Sequence, residues 1–217
     1  MIKNKEKLIY SIVILGICMC LFFPFPNNLM IKTTSSFMSF PITNYDGYVS
    51  LGIFGSVLFI IAMILLVKSI KKYRLLTVVL VLMVYTFLPH YLITIYQETL
   101  ASGIMAISYT EYGECKFDMV GKDLLNGECH LELQNRSNEA VSFELEFLDD
   151  HFLEDGMRMV SLMNIAGPYH MTIEANRKKS FHIKELLDLS EIPKHIEGGS
   201  SRYIHIKIRD GETARIL

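Results

Sequence analysis

The side chains able to do chemistry collect in the second half of the chain. Cys115 and Cys129 stand fourteen residues apart in a polar stretch. In an oxidising compartment this pair suits a disulfide closing a loop of roughly 15 residues, worth about 3 kcal/mol in the chain-entropy account. Two free core thiols are the alternative. His130, His182 and His205 all fall on expected wet strand faces. Three imidazoles on one sheet would hold Zn²⁺, but the sequence does not say that they share a sheet. Asp149, Asp150 and His151, with Glu154 and Asp155, form the densest acidic stretch. Carboxylates of this kind bind divalent cations, yet the glycine and alternate-residue spacing of an EF-hand loop are missing. A solvated loop between strands is the simpler reading. Asn135-Arg136-Ser137 matches a glycosylation acceptor, and a turn asparagine explains it as well. His90 follows Pro89 inside an apolar run, and reads as an interfacial histidine bonded to a carbonyl that the proline frees.

No glycine-rich phosphate loop, paired-cysteine zinc motif, HExxH helix or Gly-x-Ser-x-Gly elbow is present. No Ser–His spacing singles out a nucleophile and base. The expectation is therefore a protein that is not an enzyme and needs no cofactor. A net charge of −2 argues against a nucleic-acid partner.

Three apolar runs, at about residues 8–25, 48–67 and 75–96, must position these groups. Roughly 20 residues of helix cover about 30 Å, the depth of a bilayer's hydrocarbon core. Lys68, Lys71, Lys72 and Arg74 join the second run to the third, and Lys3, Lys5 and Lys7 precede the first. By the positive-inside rule these cations face the cytoplasm, which places the C-terminal half on the other side of a cell membrane. The first run ends in Phe23-Pro24-Phe25-Pro26, with no small-x-small cleavage site, so it reads as an uncleaved span. Aromatic residues of the following loop, Phe37, Phe40, Tyr45 and Tyr48, suit either the membrane surface or the underside of the outer domain. Gly52 and Ser56 form a small-xxx-small pair that lets helix backbones approach, with the first span near Gly16 and Cys20 as the expected partner and a second copy of the chain as the alternative.

The chain accordingly divides into a three-span transmembrane region (1–99), a juxtamembrane connector (100–114) and a β domain (115–217). Apolar residues recur every second position at Cys129, Leu131 and Leu133, and again at Val141, Phe143, Leu145 and Phe147. That period means one buried and one wet face. The two runs read as a hairpin or as successive strands. Further strands are expected at 116–120, 159–165, 169–173, 179–184, 203–209 and 213–217. A helical turn is expected at 184–189, and a loop at Gly198-Gly199-Ser200-Ser201. This many short strands indicate an antiparallel β-sandwich. Leu131 to Phe143, an apolar strand ending in Asn135 before a polar turn and an aromatic strand, and Tyr169 to Phe181 resemble the immunoglobulin-like and fibronectin-III-like modules of bacterial envelope proteins. The resemblance implies a fold and no functional residues, since the Cys…Trp…Cys signature is absent.

The functional expectation is a non-catalytic membrane protein whose extracytoplasmic sandwich binds a protein partner, or scaffolds, in a cell-envelope complex. A membrane sensor and an accessory transporter subunit are the alternatives.

Overall fold

The computed structural model describes residues 2–25, 40, 43–44, 47–109, 113–149, 156–202 and 204–217. They form two compact units, 1–94 and 95–217.

In the first unit, helix α1 (Lys5–Leu21) is capped by Asn4, whose side-chain oxygen accepts from the Lys7 N–H at 3.0 Å. A two-stranded ribbon, β1 (Thr43–Asn44) and β2 (Gly47–Tyr48), precedes α2 (Ser50–Ser69) and α3 (Arg74–Thr99). Among the described residues, α2 and α3 are the two helices long and apolar enough to cross a membrane. The expected first span is thus corrected. Its helix stops at Leu21 because Pro24 cannot extend it, and its first turn holds Lys5, Glu6 and Lys7. At 1.5 Å per residue, α1 is about 26 Å long. α3 runs on through Pro89, and His90 is exposed, edge-on to the Tyr91 ring.

α1 lies antiparallel along α2. The Lys3 N–H donates to the Ser69 carbonyl (2.6 Å), and the buried Ser11 hydroxyl to the Ala62 carbonyl (2.8 Å). The Tyr85 hydroxyl of α3 donates to the Leu15 carbonyl. Leu15, Cys18, Ala62 and Tyr85 are buried together, with Leu58, Phe59 and Met63 packed against them. Elsewhere the helices are bare and apolar: Phe54, Val57 and Ile60 on α2, and Leu75, Leu80, Met83, Phe87 and Leu92 on α3, are exposed.

Among its described residues the second unit is all-β apart from its opening helical residues and two short 3₁₀ turns. The described part of the expected connector, 100–109 and 113–114, carries secondary structure of its own. A 3₁₀ turn (Gly103–Ala106) and β3 (Ile107–Tyr109) bury Ile104, Ala106 and Ile107. Then come β4 (Glu114–Met119), β5 (Leu124–Asn135), β6 (Val141–Leu148), a second 3₁₀ turn (Val160–Ile165), β7 (Tyr169–Ile173), β8 (Lys178–Asp188), β9 (Gly198–Arg202), β10 (His205–Asp210) and β11 (Thr213–Ile216). All strand pairs are antiparallel. The first sheet runs β8-β5-β4-β9, with β3 continuing along β5 beyond the end of β4. The second runs β11-β10-β6-β7. β5 and β6 are therefore successive strands in different sheets, which decides against the hairpin. Inward residues of both sheets, among them Phe117, Leu131, Phe143, Phe147, Ile183 and Ile206, fall in one buried cluster.

Three local expectations are corrected. Residues 159–165 form a 3₁₀ turn rather than a strand. The Asp149 carboxylate accepts from the Met159 and Ser161 N–H groups, and the Asn164 amide pairs with both backbone groups of Phe147 at 2.8 Å, as a neighbouring strand would. Residues 184–189 do not turn, because β8 stays paired with β5 as far as Asp188. Gly198-Gly199-Ser200-Ser201 is strand β9, held by main-chain pairing with β4 and not by any apolar pattern.

At the start of this unit, one buried guanidinium gathers loose backbone ends. Arg215 Nη1 donates to the carbonyls of Ile104, Met105 and Ile107, and the Gln97 side chain donates to the last two as well. Burial pulls the Arg215 pKa down to about 10, so it stays charged at neutral pH.

Candidate functional site

The long β5–β8 pairing sets two histidines face to face. In its register His130 lies opposite His182, and Glu128 opposite Lys184. All four point to the wet face, because the intervening Cys129 and Ile183 point to the core. The two imidazoles stack with centroids 4.0 Å apart and planes 25° from parallel. Glu128 Oε1 lies 2.6 Å from His182 Nε2 and 3.5 Å from His130 Nε2. Lys184 Nζ approaches the other carboxylate oxygen at 3.9 Å. The His182 hydrogen bond is the main cause holding the Glu128 carboxyl below its usual range. Both imidazoles are more than half exposed, at 59% and 52%. Among the described residues this is the one group of three or more His, Cys, Asp or Glu side chains close enough to share a cation.

Of the three histidines singled out in the sequence, two thus come together. His205 is on β10, opposite Leu148 in the second sheet. Glu128 was the missed member. Its sequence signal is its place two residues before His130 on the same wet face; only the register adds His182.

The other candidates separate as follows. Cys115 and Cys129 are direct partners in the β4–β5 register, both fully buried, at disulfide distance with Cα atoms 4.1 Å apart. Asp149 Oδ1 accepts from the Met159 and Ser161 N–H groups and Oδ2 from the Ser161 hydroxyl; Asp150, His151, Glu154 and Asp155 lie outside the described residues, as do Phe37 and Tyr45. The Asn135 amide is buried and donates to the carbonyls of Glu139, Ile173 and Glu174, so it acts as a turn-former rather than a free acceptor. On α2 the small-residue face is Gly52, Gly55 and Ala62, all buried; Ser56 stands at its flank with its hydroxyl returned to the Gly52 carbonyl. Its neighbours on α1 are not Gly16 and Cys20, which are exposed. A Cβ on Gly55 would sit 2.3 Å from the buried Phe22 ring at the end of α1. Lys68, Lys71, Lys72 and Arg74 surround the α2–α3 junction.

A second polar feature lies on the outer face of the other sheet. Ser142, Glu144, His170, Thr172, Arg209 and Asp210 line an open groove in which Ser142 and Thr172 share a hydrogen bond of 2.9 Å. No protein family, curated protein or solved structure matches this chain.

Proposed function

We propose that this chain is a non-catalytic multi-pass membrane protein that presents its β domain outside the cytoplasm, as an immunoglobulin-like sandwich, for binding or scaffolding in a cell-envelope complex. The observation that carries the reading is the grouping of charge in the helical unit. Ile2 bridges Ile70 and Lys3 bonds Ser69, so Lys3, Lys5 and Lys7 share one end of the helices with Lys68, Lys71, Lys72 and Arg74. A cationic end beneath bare apolar helices is the pattern that the positive-inside rule assigns to the cytoplasmic surface. α3 starts at that cationic end, so in this reading its far end and the chain that follows it lie on the other side of the membrane. The shared core of the two sheets supports the sandwich arrangement.

Two reporters fused after Leu217 test the orientation. One active only in the cytoplasm stays silent, and one active only outside it is active; the opposite pair of results overturns the topology. Gentle detergent extraction tests the role. Recovery in a larger envelope complex supports scaffolding, and a homogeneous single-component particle after in-cell cross-linking refutes it.

A further inference from the structure

We propose that Glu128, His130 and His182 form a surface site for a divalent transition cation of the zinc class. The three donors converge: each imidazole presents Nε2 to the same carboxylate, and the ligand atoms all lie within 4.8 Å of one another. Zinc holds imidazole nitrogens at about 2.0–2.1 Å and carboxylate oxygens at about 2.0–2.2 Å, which sets neighbouring donors roughly 3.4 Å apart in a tetrahedron. Rotation of exposed side chains closes the remaining distance, with no change in the strands.

The backbone beneath is fixed in advance. β5 is paired from Leu124 to Gln134 with β8 on one edge, and from Leu125 to His130 with β4 on the other. Cys129, between the two β5 donors, faces inward to Cys115 across that second edge. With the backbone already ordered by that ladder, binding has only the side chains left to order, which favours affinity. The donor set chooses the cation. Two imidazoles and one carboxylate suit Zn²⁺, Cu²⁺ or Ni²⁺, whereas Ca²⁺ and Mg²⁺ require oxygen shells. Three protein donors on an open face leave a fourth position for water or for a group from another molecule. Lys184 competes for the carboxylate, so the imidazoles dominate binding.

The test uses the full chain, purified in detergent with a tag free of histidine and stripped with chelator. Zn²⁺ is titrated in competition with a fluorescent zinc indicator. One equivalent binds per chain. His130→Ala and His182→Ala each weaken it about tenfold or more, while His205→Ala leaves it unchanged. All three variants keep the unfolding temperature of the metal-free parent, since these rings lie outside the core. In the unaltered protein, Zn²⁺ protects His130 and His182 from diethylpyrocarbonate, read by peptide mass. Equal weakening by His205→Ala, zinc bound no better than by the His130→Ala/His182→Ala double variant, or absence of protection overturns the site.

Discussion

Asn135 ends β5 with an amide that supplies a donor to three backbone carbonyls. Its nitrogen donates at 2.7, 3.1 and 3.2 Å to three carbonyls, and its oxygen accepts from the Ser137 N–H and hydroxyl. A buried side chain so placed is hard to replace by anything that lacks a donor. Asn135→Asp keeps the shape but sets a repulsive oxygen against the three carbonyls in place of their donor. The expected loss is about 2–4 kcal/mol, from stranded buried acceptors and a desolvated charge. Thermal unfolding of the full chain, followed by near-ultraviolet circular dichroism, checks this. A melting temperature equal to that of the parent would show that the turn forms without the amide. The outer-face Glu128 lies only one residue from the core yet tolerates a charge, because alternate strand positions meet different media.

At the scale of elements, one tight contact between α1 and α2 is made where a glycine leaves room for a ring. Phe22 is fully buried and occupies the space that any side chain on Gly55 would need. Gly55→Ala is therefore expected to cost about 1–3 kcal/mol through overpacking. Gly16→Ala is expected to be neutral or slightly stabilising, since nothing lies within 4 Å of its added methyl and alanine favours the helix. Thermal aggregation in detergent compares the two variants side by side. Equal behaviour would mean that the helices do not meet at Phe22. The strands teach the complementary lesson. β9 exists through main-chain bonds to β4, and the 159–165 segment fails to become a strand because the Asn164 side chain takes that place beside β6.

For the molecule as a whole, the compartment and the core meet at Cys115 and Cys129. Cys18 and Cys20 are free, the first buried and the second exposed. Cells are quenched with acid, and the denatured protein is alkylated with a mass-tagged maleimide before and after reduction. Two tags are expected without reductant and all four cysteines are tagged with it, as a chain with one bridge requires. Replacing Cys115 and Cys129 by serine abolishes the difference and destabilises the domain by about 3 kcal/mol. Four tags without reductant would mean two free core thiols. That result would also withdraw the support that an oxidising compartment lends to the proposed orientation.

The sequence by itself determined the features that depend on local composition and period. Uncharged runs long enough to cross a bilayer marked α2 and α3, and period-two alternation marked the cores of β5, β6, β8 and β10, because burial acts on each residue through its own side chain. The cysteine pair was legible because a glycine-containing segment of fourteen residues returns a strand to its neighbour. Tertiary structure alone decided what depends on register and on partners far away in the chain. α1 was read too long, since its apolar run continues past the point where Pro24 ends the backbone bonds. The sheet membership of His130, His182 and His205 follows from which strands pair, and no periodicity records that. Glu128 became a candidate ligand only when β8 brought His182 against it. The turn at Asn135 was legible, but its burial and that of Arg215 were not, because a charged or polar side chain enters a core only where folded backbone supplies the acceptors it needs.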